Sequence, residues 1–289
     1  MTVRLTLGIS PCPNDTFIFD ALVNGRLDGA GLDLTAGLEL EVVHQDVETL
    51  NRWALAGRLD VTKVSAGVLP LLTDEYALLD AGGAMGRGVG PLLVARPGVA
   101  FDPAHSSVAI PGEQTTAHLL FSLVHPDAAG KRFMVFSEIE AAVASGQVDA
   151  GVIIHEGRFT YAARGLERLL DLGQAWEART GLPVPLGGIV ARRALGPELL
   201  RRLDRSIRAS LEAAWAGGGA LSPYVRQHAQ ELEESVMRQH IDLYVNQHSL
   251  SLGPEGWRAL ERLLAIHAQV RGQSPRTLAE LLAPHLLAG

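Results

Sequence analysis

Cysteine is nearly absent from this chain of 289 residues: Cys12 stands alone. That excludes a disulfide framework within the chain and a thiolate metal cluster. Aromatic residues make up only 5%, too few to suggest a surface on which bases stack. There is no block of Lys and Arg, and the formal net charge is −7, so nucleic acid is not expected as a partner. An anionic ligand would have to be held by local features rather than by the overall field. No apolar run reaches the length of a membrane span, so no membrane insertion is expected. The opening residues Met1 to Ile9 alternate like a strand and lack the apolar stretch of a secretory leader, which points to a cytoplasmic protein. A G-x-S-x-G elbow is missing, which argues against a serine hydrolase. The glycine-rich stretch Gly82 to Arg96 lacks the G-x-G-x-x-G order and runs into a strand pattern, so it is not a phosphate loop. His44 with Asp46, and His118 with His125, have no third ligand at a characteristic spacing, and no metal is expected. His228, His240 and His248 fall on polar helical stretches and read as solvated side chains.

Hydrophobic residues are plentiful, at 47%, and their pattern contains a duplication. Leu55 to Ser65 reads LAGRLDVTKVS; Ala144 to His155 reads ASGQVDAGVIIH. Each copy is a helix end, a Gly at the C-cap, an apolar residue, an Asp and a buried strand. Gly57 matches Gly146, Leu59 matches Val148 and Asp60 matches Asp149. A second pair lies upstream of each copy. Leu5 to Ile9 precedes the polar loop from Ser10, and Ser107 to Ile110 precedes the loop from Pro111; both loops lead into a helix. Asn14, Asp15 and Thr16 in one, and Thr115 and Thr116 in the other, fall at N-cap positions. They either cap helices or face a ligand. Free N–H groups and the positive end of the dipole suit such ends to an anion such as a carboxylate.

Strand and helix signals alternate to about residue 190, which predicts an α/β fold of two lobes with mixed, mostly parallel sheets and a cleft between them. Two crossings, at Gly82 to Arg96 and Gly181 to Arg192, divide the chain into a discontinuous lobe 1 of residues 1–93 and 190–289 and a lobe 2 of residues 94–189. Helices are expected over 47–57 and over 137–146, the latter with Ser137 and Glu140 as a capping box. From about residue 197 the pattern is helical, over 197–217, 223–248 and 254–287, and these helices should pack on lobe 1. Tyr244 to Asn246 either approach the cleft or end a packed helix.

His155 ends a buried strand, where open α/β sheets place their ligands, and a histidine is the natural base near neutral pH. The plainer alternative is a structural His capping the next helix. Glu156, its neighbour on an extended strand, points away from the ring, so another group should orient the imidazole. Lys63, Val64 and Ser65 end the matching strand; Lys63 can hold an anion and Ser65 can donate a hydrogen bond. Arg87 and Arg158 are weaker candidates for a carboxylate. Cys12 lies between two prolines near a helix N-terminus, where a thiolate is favoured, although packing as a small apolar residue is the plainer role.

Several of these motifs together, namely SPCPNDTFIF from Ser10, ETLNRWAL from Glu48, TKVS from Thr62, GRGVGPL from Gly86, IIHEGRFTY from Ile153 and TGLPVPLG from Thr180, resemble the 1,4-dihydroxy-6-naphthoate synthase family of the futalosine route to menaquinone. The resemblance spans nearly the whole chain. It implies a fold like the type II periplasmic solute-binding proteins. It also implies a cofactor-independent lyase that converts cyclic dehypoxanthine futalosine, a small anionic substrate, to 1,4-dihydroxy-6-naphthoate and dihydroxyacetone. His155 then matches the proton acceptor, Lys63 to Ser65 and Thr115 with Thr116 match substrate-binding segments, and Phe17 would cover the ring. The alternatives are a non-catalytic solute binder of the same fold, the chorismate dehydratase of the same pathway, and a thiol-dependent enzyme using Cys12.

Overall fold

The computed structural model describes residues 2–27, 35, 37–229 and 233–287. Most of the stretch from Gly29 to Leu38, which reads as an insertion, lies outside the described residues. The chain begins with β1 (Val3–Ile9), α1 (Pro13–Val23), β2 (Leu38–His44), α2 (Val47–Leu55), β3 (Val61–Ser65), β4 (Tyr76–Leu78) and β5 (Ala84–Gly86). It continues through β6 (Leu92–Ala95), β7 (Val108–Ile110), α3 (Thr116–Val124), β8 (Lys131–Phe133), α4 (Ile139–Ala144), β9 (Ala150–Ile153), α5 (Gly157–Thr160), β10 (Glu167–Asp171) and α6 (Leu172–Thr180) to β11 (Val184–Arg192). Helices α7 (Gly196–Ala216), α8 (Pro223–His228), α9 (Glu234–Tyr244), α10 (Gln247–Leu250), α11 (Gly253–Arg271) and α12 (Leu278–Leu281) complete it. No helix among the described residues is long and apolar enough to cross a membrane.

Two mixed sheets result. The first runs β2-β1-β3-β11-β4, with β5 also on β11; the second runs β10-β6-β9-β7-β8. Pairing is parallel around β1 and β7, where each strand is followed by a helix, and antiparallel where the crossing strands β6 and β11 enter. Since Val184 already pairs with Gly86, the chain returns to the first sheet at Val184, six residues ahead of the expected boundary at 190. The two crossing segments lie side by side. Arg87 donates to the Gly181 carbonyl at 2.9 Å, and the Gly88 amide donates to Glu177 Oε1 at 2.7 Å.

The duplication is visible in the hydrogen bonds. Asp60 Oδ2 accepts from the Thr6 amide (2.8 Å) and hydroxyl (2.9 Å), while the Asp60 amide donates back to Thr6 Oγ1 at 2.8 Å. Asp149 repeats all three bonds with Ser107, at 2.7, 2.7 and 3.1 Å. Gly57 and Gly146 precede these aspartates at φ +61° and +80°, where a Cβ would be strained. Each Asp thus fastens the strand it begins to a parallel neighbour, β3 to β1 and β9 to the start of β7.

Some local expectations shift. Ser137 does not cap α4: it sits inside a 3-10 turn, Phe136–Glu138, and Glu138 takes the cap position without a side-chain bond. Glu140 instead meets Thr160 at 3.3 Å and Arg164 at 3.3 Å. The helical stretch 223–248 is broken into α8, α9 and α10. Stretch 254–287 breaks after Arg271, where Gly272 adopts φ +65°. Helices α7, α8 and α9 pack on α1, and their apolar faces close one core with β1, Phe17 and Phe19.

Where the first crossing meets α6, Gly90 and Gly173 touch backbone to backbone: a Cβ on Gly90 would stand 2.2 Å from Gly173 Cα. Gly90→Ala is expected to lower stability by about 1–3 kcal/mol, since neither backbone can give way as a side chain would. Urea denaturation checks this, and an unchanged midpoint would contradict the close packing.

Candidate functional site

The carboxyl ends of β3 and β9 face each other across a cavity of ≈ 710 Å³, counting its open mouth, a size that suits a small molecule. Asn14, Asp15, Lys63, Val64, Ser65, Thr115, Thr116 and His155 all line it, with Arg158, His240 and Tyr244. Thr16 does not: it is fully buried, and its hydroxyl donates to the carbonyls of Cys12 (3.1 Å) and Pro13 (3.3 Å) inside α1. Nor do Asn14 to Thr16 cap that helix; Cys12 holds the N-cap position and Pro13 opens the first turn. Phe17 packs in the core behind β1. Arg87 is exposed and paired with Glu255 at 2.8 Å.

His155 has φ +55°, alone among the described non-glycine residues in a positive φ. Such a conformation costs free energy and is held only where the surroundings over-determine it. It turns the ring into the cavity beyond β9. Phe136 meets the ring edge-on at 4.9 Å. Nδ1 lies 3.7 Å from Cys12 Sγ, while Nε2 is buried with no hydrogen-bond partner. Burial, the largest influence, lowers the His155 pKa, so the neutral imidazole is favoured. Burial also pushes the Cys12 thiol well up. The helix terminus does not win there, because desolvation of the charged sulfur outweighs the dipole.

The other wall is a buried polar chain. Asp15 Oδ1 takes Lys63 Nζ at 2.9 Å and Asn14 Nδ2 at 2.9 Å; Oδ2 takes the Ser10 hydroxyl at 2.7 Å and amide at 3.2 Å. Lys63 also donates to the Gly82 carbonyl at 3.1 Å. A carboxylate only accepts, so Asn14 must turn its amide nitrogen to Asp15 and its oxygen to His240 Nε2, 2.9 Å away. His240 therefore carries its proton on Nε2. Its ring is 1% exposed, lies nearly parallel to His155 at 6.1 Å and 11°, and is held neutral by burial. The expectation of a solvated His240 is thus corrected. Helix α9 looks polar by composition, but it turns Met237, His240, Ile241 and Tyr244 inward. Tyr244 lines the cavity as well, and burial raises its pKa, so it stays a hydroxyl donor. The i, i+4 spacing of His240 and Tyr244 was the available signal. His228 is likewise stacked, on His44 at 4.0 Å.

The predicted hydroxyls are largely engaged. Thr115 Oγ1 caps α3, accepting from the His118 amide at 3.1 Å. Thr116 Oγ1 accepts from the Gly67 amide at 3.0 Å and donates to the Leu186 carbonyl at 2.8 Å. Ser65 accepts from Asn51 at 3.0 Å. What remains for an anion is the Ser65 O–H, which only accepts in its bond with Asn51, and backbone: the Thr116 and Ala117 N–H groups of the first turn of α3, which have no intrahelical acceptor. Arg158 bonds the Gly90 carbonyl and pairs with Asp171 at 2.9 Å. The lobes are joined at the rim by Glu48, whose carboxylate accepts from the amides of Glu113 (3.1 Å) and Gln114 (3.2 Å). Gly112 lies against that carboxylate, where a Cβ would come within 2.5 Å. Among the described residues no group of three or more His, Cys, Asp or Glu side chains is placed to hold a metal.

Comparison with known proteins returns a consistent set. A family model described as menaquinone biosynthesis matches residues 5–269. The 1,4-dihydroxy-6-naphthoate synthase of Streptomyces coelicolor is 47% identical over 287 residues, covering 98% of this chain and 95% of that protein. The synthase of the same name from Thermus thermophilus is 50% identical over 278 residues, covering 95% and 98%. Among solved structures, a protein of Archaeoglobus fulgidus superposes with a TM-score of 0.84 at 34% identity, covering 93% of this chain and 98% of that one. The periplasmic aliphatic sulphonate-binding protein of Escherichia coli superposes with a TM-score of 0.66 at 10% identity over 96% and 91% of the two chains, a likeness of fold alone.

Proposed function

The chain belongs to the menaquinone biosynthesis family, and from that membership we propose that it is a 1,4-dihydroxy-6-naphthoate synthase. It takes cyclic dehypoxanthine futalosine and releases 1,4-dihydroxy-6-naphthoate and dihydroxyacetone, in the cytoplasm. Its curated relatives are synthases, so an enzyme is favoured over a solute binder, and this activity over a chorismate dehydratase.

The observation that carries the mechanism is the buried, unpartnered Nε2 of His155, on a backbone at φ +55° in the cavity between the lobes. With Nδ1–H turned to the Cys12 sulfur, Nε2 presents its lone pair to the substrate as general base. Proton removal opens the spiro-linked ring and starts a carbon–carbon cleavage of retro-aldol type. Aromatisation of the product supplies the driving force, which makes a metal or redox cofactor unnecessary. The substrate carboxylate rests on the N–H groups opening α3. His240, through Asn14, fixes Asp15 and Lys63 in the facing wall and leaves the cavity no mobile charge there. The lobes, one built on each sheet, close over the substrate and exclude water.

A base with a depressed pKa stays neutral to lower pH. The acidic limb of kcat/KM is therefore expected below pH 6.5, the ordinary histidine value. A pH–rate profile with its acidic limb at or above 6.5 would remove His155 as the base.

A further inference from the structure

A second cleft, of ≈ 1250 Å³ counting its open mouth, lies outside the site just described, between α3, α6 and α11. Three cations line it: Lys131, Arg179 and Arg271. None is within ion-pair distance of a carboxylate among the described residues. Lys131 donates to the Ser122 hydroxyl at 3.0 Å, and Arg271 faces the Glu113 carbonyl at 3.4 Å. Glu113 supplies the one carboxylate in the lining, and its side chain is exposed. His267 adds an imidazole that is 3% exposed and whose Nε2 has no partner. Burial, and next the Arg271 charge, hold the Lys131 ammonium below the usual lysine range. Like charges are thus kept together against their own repulsion, in a chain whose net charge is −7. The one carboxylate in the lining, Glu113, pairs with none of the three cations.

We infer that this cleft is a second ligand site, which takes a compact anion of at least two negative charges, bound by Lys131, Arg179 and Arg271. The chemistry is that of a phosphate-type or polycarboxylate ion: its oxygens accept charge-assisted hydrogen bonds from the guanidinium and ammonium groups and relieve their repulsion. Lys131 and Arg179 belong to elements of the second sheet's lobe, Arg271 and His267 to α11, so a bound anion ties the two parts together. Thr115 lines both cavities, which places the bound anion one residue layer from the first turn of α3.

Isothermal titration of the purified protein with inorganic pyrophosphate and, separately, with citrate tests this, at an ionic strength held constant with chloride. Saturable binding of either probe is expected, weakened about tenfold or more by Lys131→Gln and by Arg271→Gln. Arg201→Gln, an exposed cation paired with Glu198 elsewhere, should leave it unchanged. Pyrophosphate alone would mark a phosphate-type ligand, citrate alone a polycarboxylate, and both a site that reads charge. Circular dichroism confirms that the variants keep the fold; both substituted side chains reach the cleft from its surface. Absence of saturable binding to millimolar concentration, or binding that neither substitution weakens, would overturn the inference.

Discussion

His155→Asn is expected to lower kcat by about 10²–10⁴-fold, the usual contribution of a positioned general base, with a much smaller change in KM. Asparagine is the informative replacement. Among residues with a Cβ it tolerates a left-handed backbone best, so the φ +55° turn after β9 survives and only the base is lost. An alanine at this position would add backbone strain to the loss of the imidazole and confuse the two. Steady-state kinetics of the two proteins, with thermal melting to verify the fold, separate chemistry from stability. Retention of wild-type turnover by the asparagine variant would end the assignment of His155 as base.

Lys63→Met should produce the largest loss of stability. Lys63 and Asp15 are a buried pair, their side chains 6% and 1% exposed. Removing the ammonium strands a carboxylate in the interior, at a cost of about 3–5 kcal/mol. The Ser10 and Asn14 donors soften this only in part, because a full charge still lacks its counter-charge. Adding Asp15→Asn to Lys63→Met should recover some of the loss, since the remaining amide carries no charge to strand. Urea denaturation of the single and double variants reads both effects. A single-variant loss below about 1 kcal/mol, the scale of an exposed pair, would contradict the buried ion pair.

How far the sequence foretold this molecule depends on what each residue's signal is made of. Gly57 with Asp60 and Gly146 with Asp149 were legible because the device is local: a C-cap glycine, a strand and one fastening carboxylate within four residues. Their repetition implied two lobes and a cleft, and so placed His155 and Lys63 opposite each other. The wall behind them was not legible. His240 lies 226 residues from its partner Asn14, and the helix that carries it has charged and polar residues through its length. The i, i+4 spacing of His240 and Tyr244 sets the imidazole on the inward face of that helix, but it does not say which distant partner the ring meets. Cys12 shows the same limit in energetic form. Its position at a helix N-terminus was correct, but the sign of its pKa shift depended on burial, which only the assembled fold determines. Thr115 and Thr116 line the cavity, yet the Thr115 hydroxyl is taken by its own helix cap and the Thr116 hydroxyl by tertiary bonds to the Gly67 amide and the Leu186 carbonyl, so the backbone N–H groups beside them remain for an anion.

The measurement that most directly tests the account is incubation of the purified protein, treated with chelator and supplied with no nucleotide, with cyclic dehypoxanthine futalosine, followed by mass spectrometry of the products. The account predicts 1,4-dihydroxy-6-naphthoate and dihydroxyacetone in equal amounts. Binding of the compound without conversion, or conversion only after a metal or nucleotide is restored, would contradict it.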